Sequence, residues 1–171
     1  MALVFQYGSN TSSSHFNSDN RLRGDAHSLG AVYTEEDFEL DFTVSSVTND
    51  CAAGDIVSGR GRKIWGVLYE IPDHLIRRET SGERRSLDAI EGRKYERRTI
   101  AVRHRDGTLI EGEVITYVVR ERESGIQTSS EYCGHIIEGL REHDVPEEYI
   151  EYVKTRMIAN NPTLRADIDT L

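Results

Sequence analysis

The chain is poor in the features that mark most specialised classes. Its 171 residues include only two cysteines, three prolines, two methionines and one tryptophan. The two cysteines, Cys51 and Cys133, suit free thiols in a reducing compartment, with a single bridge between them left open. No stretch approaches the roughly 18 apolar residues of a membrane span, so no membrane partner is expected. The N-terminus has no basic region and only the short apolar run Ala2 to Phe5, which is not a signal peptide; the expected location is cytoplasmic. Positive charge is in deficit, 21 Lys and Arg against 30 Asp and Glu, for a net charge of −9. That balance argues against a dedicated nucleic-acid binder, because phosphate neutralisation supplies most of such affinity. The basic stretches Arg60-Gly61-Arg62-Lys63 and Arg93 to Arg98 read as solvated loops and strand faces.

Several catalytic motifs are also missing. There is no Gly-x-Ser-x-Gly elbow and no phosphate-binding P-loop. His15, His27, His74, His104, His135 and His143 show no pair at metal-ligand spacing, so no metal is assigned. His104-Arg105-Asp106 spells the kinase catalytic tripeptide, but no glycine-rich phosphate loop or Asp-Phe-Gly accompanies it. Neither cysteine has a local catalytic pattern, and both read as packed thiols.

What remains is the composition of one globular domain over residues 1–171, long enough to bury a core without staples. Leu3 to Tyr7 reads as a first strand. Thr11 to Leu29, rich in Ser, Asn, Asp and Gly, reads as a loop with one helical turn near Asn17 to Arg23. Ala31-Val32-Tyr33 is a short strand, and Phe38, Leu40, Phe42 and Val44 alternate with polar residues at a period of two. Asn49 to Lys63 reads as a loop. Ile64 to Ile71 is apolar on both faces, as a central strand is. Helical character starts at Pro72-Asp73-His74, and a second helix from Glu83 to Ile90 stops at Glu91-Gly92, with Gly92 as its C′ residue. Thr99 to His104 and Ile110 to Val119 are strands joined by a hairpin at Asp106-Gly107. Tyr132 to Arg141 is an amphipathic helix. Asp144-Val145-Pro146-Glu147 then caps another, which Pro162 ends. The sum is a mostly antiparallel, curled sheet with flanking helices, an α+β fold.

Two short stretches carry the chemistry. Tyr7-Gly8-Ser9-Asn10 follows the first strand, and its glycine permits a sharp turn whose consecutive N–H groups form a concavity for a carboxylate or carbonyl oxygen. An ordinary turn is the plain alternative. In Leu87-Asp88-Ala89-Ile90-Glu91-Gly92, Glu91 sits at a helix C-terminus, where cations are usual and a carboxylate is disfavoured in its charged form. Its pKa should rise, which suits an acid/base working near neutrality. Arg93 and Lys94 oppose the shift, and an exposed glutamate neutralised by Arg93, Lys94 or Arg84 is the plain alternative. Asp88 shares the helix face and reads as a positioning residue.

Taken in order, these pieces resemble the gamma-glutamylcyclotransferase-like family, which includes the AIG2-like proteins. The resemblance runs through Tyr7-Gly8-Ser9-Asn10, Phe38-Glu39-Leu40-Asp41-Phe42, Trp65-Gly66-Val67, Leu87 to Gly92 with Tyr95, Tyr117, the Tyr132-led helix, and Val145-Pro146-Glu147-Glu148-Tyr149. It implies a small mixed barrel with a cavity at one end. It implies cofactor-free chemistry on a small gamma-glutamyl substrate, whose α-amine attacks its own side-chain carbonyl and releases 5-oxoproline. By resemblance Glu91 is the acid/base. Gly8, Ser9 and Asn10 hold the gamma-glutamyl group through their backbone, Tyr7 lines the cavity, and Tyr117 and Tyr132 are hydroxyl donors. The chain departs at Thr11, where the family often has Leu, and in a longer segment carrying Arg77, Arg78, Arg84 and Arg85. That segment reads as a lid, a contact for an anionic leaving group, or solvated surface. The expected assembly is a monomer or homodimer. Two further functions stay open: a non-catalytic small-molecule binder on the same fold, and a gamma-glutamyl amide hydrolase or acyltransferase.

Overall fold

A computed structural model describes residues 1–59, 61–77 and 86–171. The strands are β1 (Ala2–Gln6), β2 (His27–Thr34), β3 (Phe38–Ser46), β4 (Cys51–Ser58), β5 (Trp65–Ile71), β6 (Tyr95–Thr99), β7 (Val102–His104) and β8 (Val114–Val119). The helices are α1 (Ser13–Phe16), α2 (Leu87–Glu91), α3 (Ser130–Glu142), α4 (Glu147–Asn160) and α5 (Arg165–Asp169). Six strands form one sheet in the order β6-β8-β1-β5-β2-β7, while β3 and β4 pair separately as a long hairpin. Among the described residues of the larger sheet, only β1 and β8 run parallel.

The topology explains the curl. β6 and β7 lie at opposite edges of the sheet, yet only Ile100 and Ala101 separate them in the chain. So short a connection requires the sheet to bend until its edges approach. β5, apolar on both faces as expected, lies between β1 and β2. Alternation along the strands sends residues to two cores. Phe5 and Leu68 join a core with β3, β4, α3 and α4, while Val4, Val67 and Tyr69 join one with Phe16, Leu22, Leu75 and Leu87.

Several local expectations change. Cys51 to Ser58, read as loop, is strand β4, paired along its length with β3. Its Ala52-Ala53-Gly54-Asp55 lacks the bulky alternation of a strand because Gly54 lies under the Tyr132 hydroxyl and Asp55 is a buried charge. The helical turn after Ser9 comes earlier than expected, at α1. The Asp106-Gly107 turn forms, with Gly107 at φ 91° and its N–H donating to His104 O at 2.9 Å. Its second arm does not continue as a strand, because Gly112 at φ 90° redirects the chain before β8. Asp144 has φ 54° and does not cap α4; Pro146 occupies that position without a side-chain bond. Beyond Pro162 a further short helix, α5, packs Ile168 into the core. Cys51 and Cys133 are both free thiols. Of the arginine-rich segment only Arg77 is described, and it is exposed; Arg78, Arg84 and Arg85, the start of the expected Glu83–Ile90 helix, and Arg60 lie outside the described residues.

Candidate active site

The turn after β1 is built by what packs on it. Ser9–Thr11 form a tight 3-10 turn whose Thr11 N–H donates to Gly8 O at 3.0 Å. The Thr11 hydroxyl donates to Gly8 O at 2.8 Å and to Ile136 O of α3 at 3.3 Å. Ser12 accepts from His15 N–H and caps α1. The polar Thr11-Ser12 pair is therefore fully buried under α3, fastening the turn. α3 approaches it so closely that a Cβ on Gly139 would lie 2.1 Å from the Thr11 carbonyl carbon. Among the described residues, no protein group accepts the N–H of Ser9 or of Asn10.

The second half of the site is the single helical turn α2. Ser86 caps it by accepting from Ala89 N–H, and Gly92, at φ 85°, ends it with its N–H donated to Asp88 O at 3.1 Å. Asp88 anchors the turn from outside. It accepts from the Tyr117 hydroxyl and pairs with Arg97, both at 2.7 Å. Glu91 faces the other way, toward β1. Its Oε1 accepts from Asn10 Nδ2 at 3.1 Å, with Gln6 Nε2 at 3.5 Å. Arg21 Nη1 in turn donates to Asn10 Oδ1 at 2.9 Å.

Burial holds the Glu91 carboxyl above its ordinary value, opposed by the Arg21 charge and by the Gln6 and Asn10 amides. The direction matches expectation, and burial is its leading cause. A five-residue helix carries little dipole, and the opposing cation is the buried Arg21 rather than Arg93 or Lys94.

These residues open on a cavity of about 350 Å³. Ser9, Asn10, Arg21, Glu91, Tyr95 and Tyr132 line it, while Val47, Arg93 and Lys94 stand on the part reached by the β3–β4 hairpin and the α2–β6 turn. The Tyr132 hydroxyl oxygen accepts from Gly54 N–H at 2.8 Å, and the Tyr95 hydroxyl donates to Gly54 O at 2.7 Å. Gly8 runs beside the same hydroxyl, where a Cβ would come to 3.1 Å. Burial pushes Tyr132 up to about 12, so its hydroxyl stays protonated. Larger hollows occur elsewhere, including one of about 770 Å³ walled by Ile56, Ile100, Val114 and Arg122. They do not contain Glu91, and volume alone does not mark a reactive site.

Of the residues singled out from sequence, the fold brings Ser9, Asn10, Glu91 and Tyr132 to one cavity. Tyr7 and Gly8 support it from behind, with the Tyr7 hydroxyl donated to Tyr117 O at 2.6 Å. Tyr117 is not on the cavity wall; its hydroxyl is committed to Asp88. Gln6, Arg21 and the Gly54 backbone were not anticipated. No local pattern marks Arg21, which follows Asn10 inside what reads as a polar loop. Among the described residues, no group of three or more His, Cys, Asp and Glu side chains is placed to hold a metal, and no helix is long and apolar enough to cross a membrane.

Residues 63–153 match the AIG2-like family, a span that contains α2, β6, β8, α3 and the start of α4. The chain belongs to the AIG2-like family. The fold is similar to that of a gamma-glutamyl cyclotransferase, at a TM-score of 0.73 and 24% identity over 90% of this chain and 86% of that one. An uncharacterized protein from Homo sapiens is similar at 0.72 and 24%, with the same 90% and 86% coverage. YkqA from Bacillus subtilis is similar at 0.72 and 20%, over 93% of this chain but 55% of that one. At these identities the likeness is one of fold. No curated protein sequence matches the chain significantly.

Proposed function

We propose that the protein is a gamma-glutamyl cyclotransferase, cleaving a gamma-glutamyl amide by attack of the substrate's own α-amine. The observation that carries this reading is Glu91, a carboxyl raised by burial at the wall of a small cavity, facing the turn after β1. The family and the fold shared with a gamma-glutamyl cyclotransferase support it.

In this mechanism the unpaired Ser9 and Asn10 N–H groups receive the substrate's α-carboxylate, placing its α-amine near Glu91. The carboxylate of Glu91 takes a proton from that amine. The amine nitrogen bonds to the side-chain carbonyl carbon, and the carbonyl becomes an oxyanion. Tyr132, whose oxygen already accepts from Gly54, still has its own proton to donate to that oxyanion. As the carbonyl re-forms, the bond to the leaving nitrogen breaks and Glu91 returns the proton there. The products are 5-oxoproline and an amine, and Glu91 ends as it began. Because nucleophile and electrophile belong to one molecule, holding the reactive conformer supplies much of the acceleration. A carboxyl raised toward neutrality serves both proton transfers.

The test is 5-oxoproline release from a panel of gamma-glutamyl compounds, read by mass spectrometry, with wild type and Glu91→Gln. Gln retains the shape and the acceptor oxygen but carries no proton to exchange. The rate should fall by about 10² to 10⁴. A substrate N-acetylated on its α-amine should not react. Its cleavage at a comparable rate would mean hydrolysis and would refute cyclisation.

A further inference from the structure

Arg21 belongs to none of the motifs, yet it is one of the most buried charged residues in the chain, 8% exposed. Among the described residues, its Nη1 donates to Asn10 Oδ1, its Nε has no partner, and no carboxylate bonds it directly. An unpaired buried guanidinium is costly, so its place beside the Glu91 cavity calls for a reason.

The hydrogen-bond chemistry supplies one. A guanidinium has only donors, so the Asn10 amide must turn its oxygen toward Arg21. That orientation leaves Asn10 Nδ2 facing Glu91 Oε1, and Gln6 Oε1, at 3.4 Å, accepts from the same nitrogen. Without Arg21 only the acceptors on the other side, Glu91 Oε1 and Gln6 Oε1, hold that orientation, and a flipped Asn10 would set an oxygen against the Glu91 carboxylate. We propose that Arg21 is the positioning residue of the site: it fixes which end of the Asn10 amide meets Glu91, and it supplies the buried positive charge that keeps the Glu91 carboxylate available as a base. This rests on Glu91 being the acid/base.

Among the described residues, the other charged and titratable groups around Glu91 do not substitute for it. Asp88, on the same helical turn, is negative and is taken up by Arg97 and Tyr117. Tyr7, Tyr95, Tyr117 and Tyr132, from the strands and α3, are all pushed upward by burial and stay neutral in the acidic range. His15, next to Arg21, is pushed down to about 3 by its own burial, by Arg21 and by His135, and carries no charge there. Arg93 and Lys94 are exposed at the rim, with Lys94 donating to Ser45 O at 3.0 Å. Arg21 opposes the rise in Glu91 more than either amide does.

The test compares wild type, Arg21→Gln and Arg21→Lys by two readouts. One is the pH profile of kcat/KM for 5-oxoproline release. The other is direct titration of the Glu91 carboxyl carbon by NMR, assigned by its loss in Glu91→Gln and independent of turnover. Arg21→Gln should move both the acidic limb and the Glu91 titration to higher pH. Arg21→Lys keeps both the charge and a donor-only head group, so it should act as the conservative rescue, with both titrations and kcat near wild type. A purely structural residue would lower the melting temperature and the amplitude without moving either titration, and that result would overturn the proposal. If Arg21→Gln does not fold, Arg21→Met is read in its place, and a Glu91 titration that does not move to higher pH there refutes the proposal. A Glu91 titration that moves in Arg21→Gln while no variant or wild type releases 5-oxoproline would leave the charge coupling standing and remove the proposed reaction.

Discussion

Replacing Gly139 by Ala should damage the site from a position that touches no cavity residue. The added Cβ would stand 2.1 Å from the Thr11 carbonyl carbon, 2.2 Å from Ser12 N and 2.4 Å from Thr11 Oγ1, against the 3.4 Å at which ordinary contact begins. Two of those atoms are backbone, so no rotamer change relieves the clash. α3 and the Ser9–Thr11 turn must part by more than 1 Å. Overpacking of a tight core costs about 1 to 3 kcal/mol, and the upper end applies where backbone must yield and the Thr11 to Ile136 hydrogen bond stretches. At about 2 to 4 °C per kcal/mol for a chain of this size, a loss near 3 kcal/mol lowers the melting temperature by roughly 6 to 12 °C. The same displacement carries Asn10 away from Glu91, and a misplacement on the order of 1 Å can cost a hundredfold in rate. Gly134 provides the control on the same helix, since nothing lies within 4 Å of its Cβ position. Gly134→Ala should leave activity intact and stabilise by up to about 1 kcal/mol through helix propensity alone. Thermal unfolding by circular dichroism and 5-oxoproline release read both variants. If Gly139→Ala unfolds within about 2 °C of Gly134→Ala, a difference below roughly 1 kcal/mol, the close seat of α3 on the turn is not what this geometry says it is.

Other perturbations test separate parts of the structure. Tyr132→Phe leaves the Gly54 N–H without its acceptor and should cost about 1 to 3 kcal/mol in urea unfolding; an unchanged midpoint would mean that this bond does not hold the hairpin to α3. Asp55 is wholly buried and accepts from Thr43 Oγ1, Val119 N–H and Arg122 Nε at 3.0 to 3.1 Å. Asp55→Ala should cost about 3 kcal/mol, the low end for a broken buried pair because Arg122 is half exposed, and a loss below about 1 kcal/mol, the scale of a surface pair, would refute that account. Glu91→Gln should gain stability over wild type as pH rises. The folded pKa of Glu91 is raised, so its contribution to folding is fully present below the ordinary value of 4.5 and is lost as pH rises through the folded value. The melting temperature of the variant minus that of wild type should increase from acid to neutral pH, and a difference that decreases would contradict the sign of the shift.

The parts legible in the sequence were those set by local pattern. β3 shows itself by alternation, β5 by apolarity on both faces, and α3 by its stripe of Ile136, Ile137 and Leu140. β4 was illegible because its residue types answer to distant partners: Gly54 to Tyr132 and Tyr95, and Asp55 to Arg122. The closure of the sheet was illegible in its details for a similar reason. Thr99 and Val102 read as one continuous strand, yet they belong to opposite edges. In the site, Glu91 and the turn after β1 stood out as motifs. Arg21 did not, because its meaning depends on a contact with Asn10 that no spacing rule encodes. The helix-end argument for Glu91 gave the right direction, while burial is the leading cause.

The site is assembled from two short pieces, neither of which is stable by itself. The Ser9–Thr11 turn and α2 are each shorter than the length at which isolated helical structure persists in water. Each is fixed by packing instead: the turn by Gly139 and Thr11 against α3, and α2 by Asp88 against Tyr117 and Arg97. Asn10 and Glu91 then meet across the gap, with Arg21 behind them. This arrangement separates two demands. The outer contacts are saturated and carry the position, so the inner face can keep a raised carboxyl and a buried cation that a stability-optimised core would replace. Loosening an outer contact should therefore act mainly on turnover and raise the Glu91 titration only by the share that the Asn10 amide holds, while altering Arg21 should move that pH further. The distinction is physical: distance sets the rate at which the proton is passed, and charge sets the pH at which there is a base to receive it.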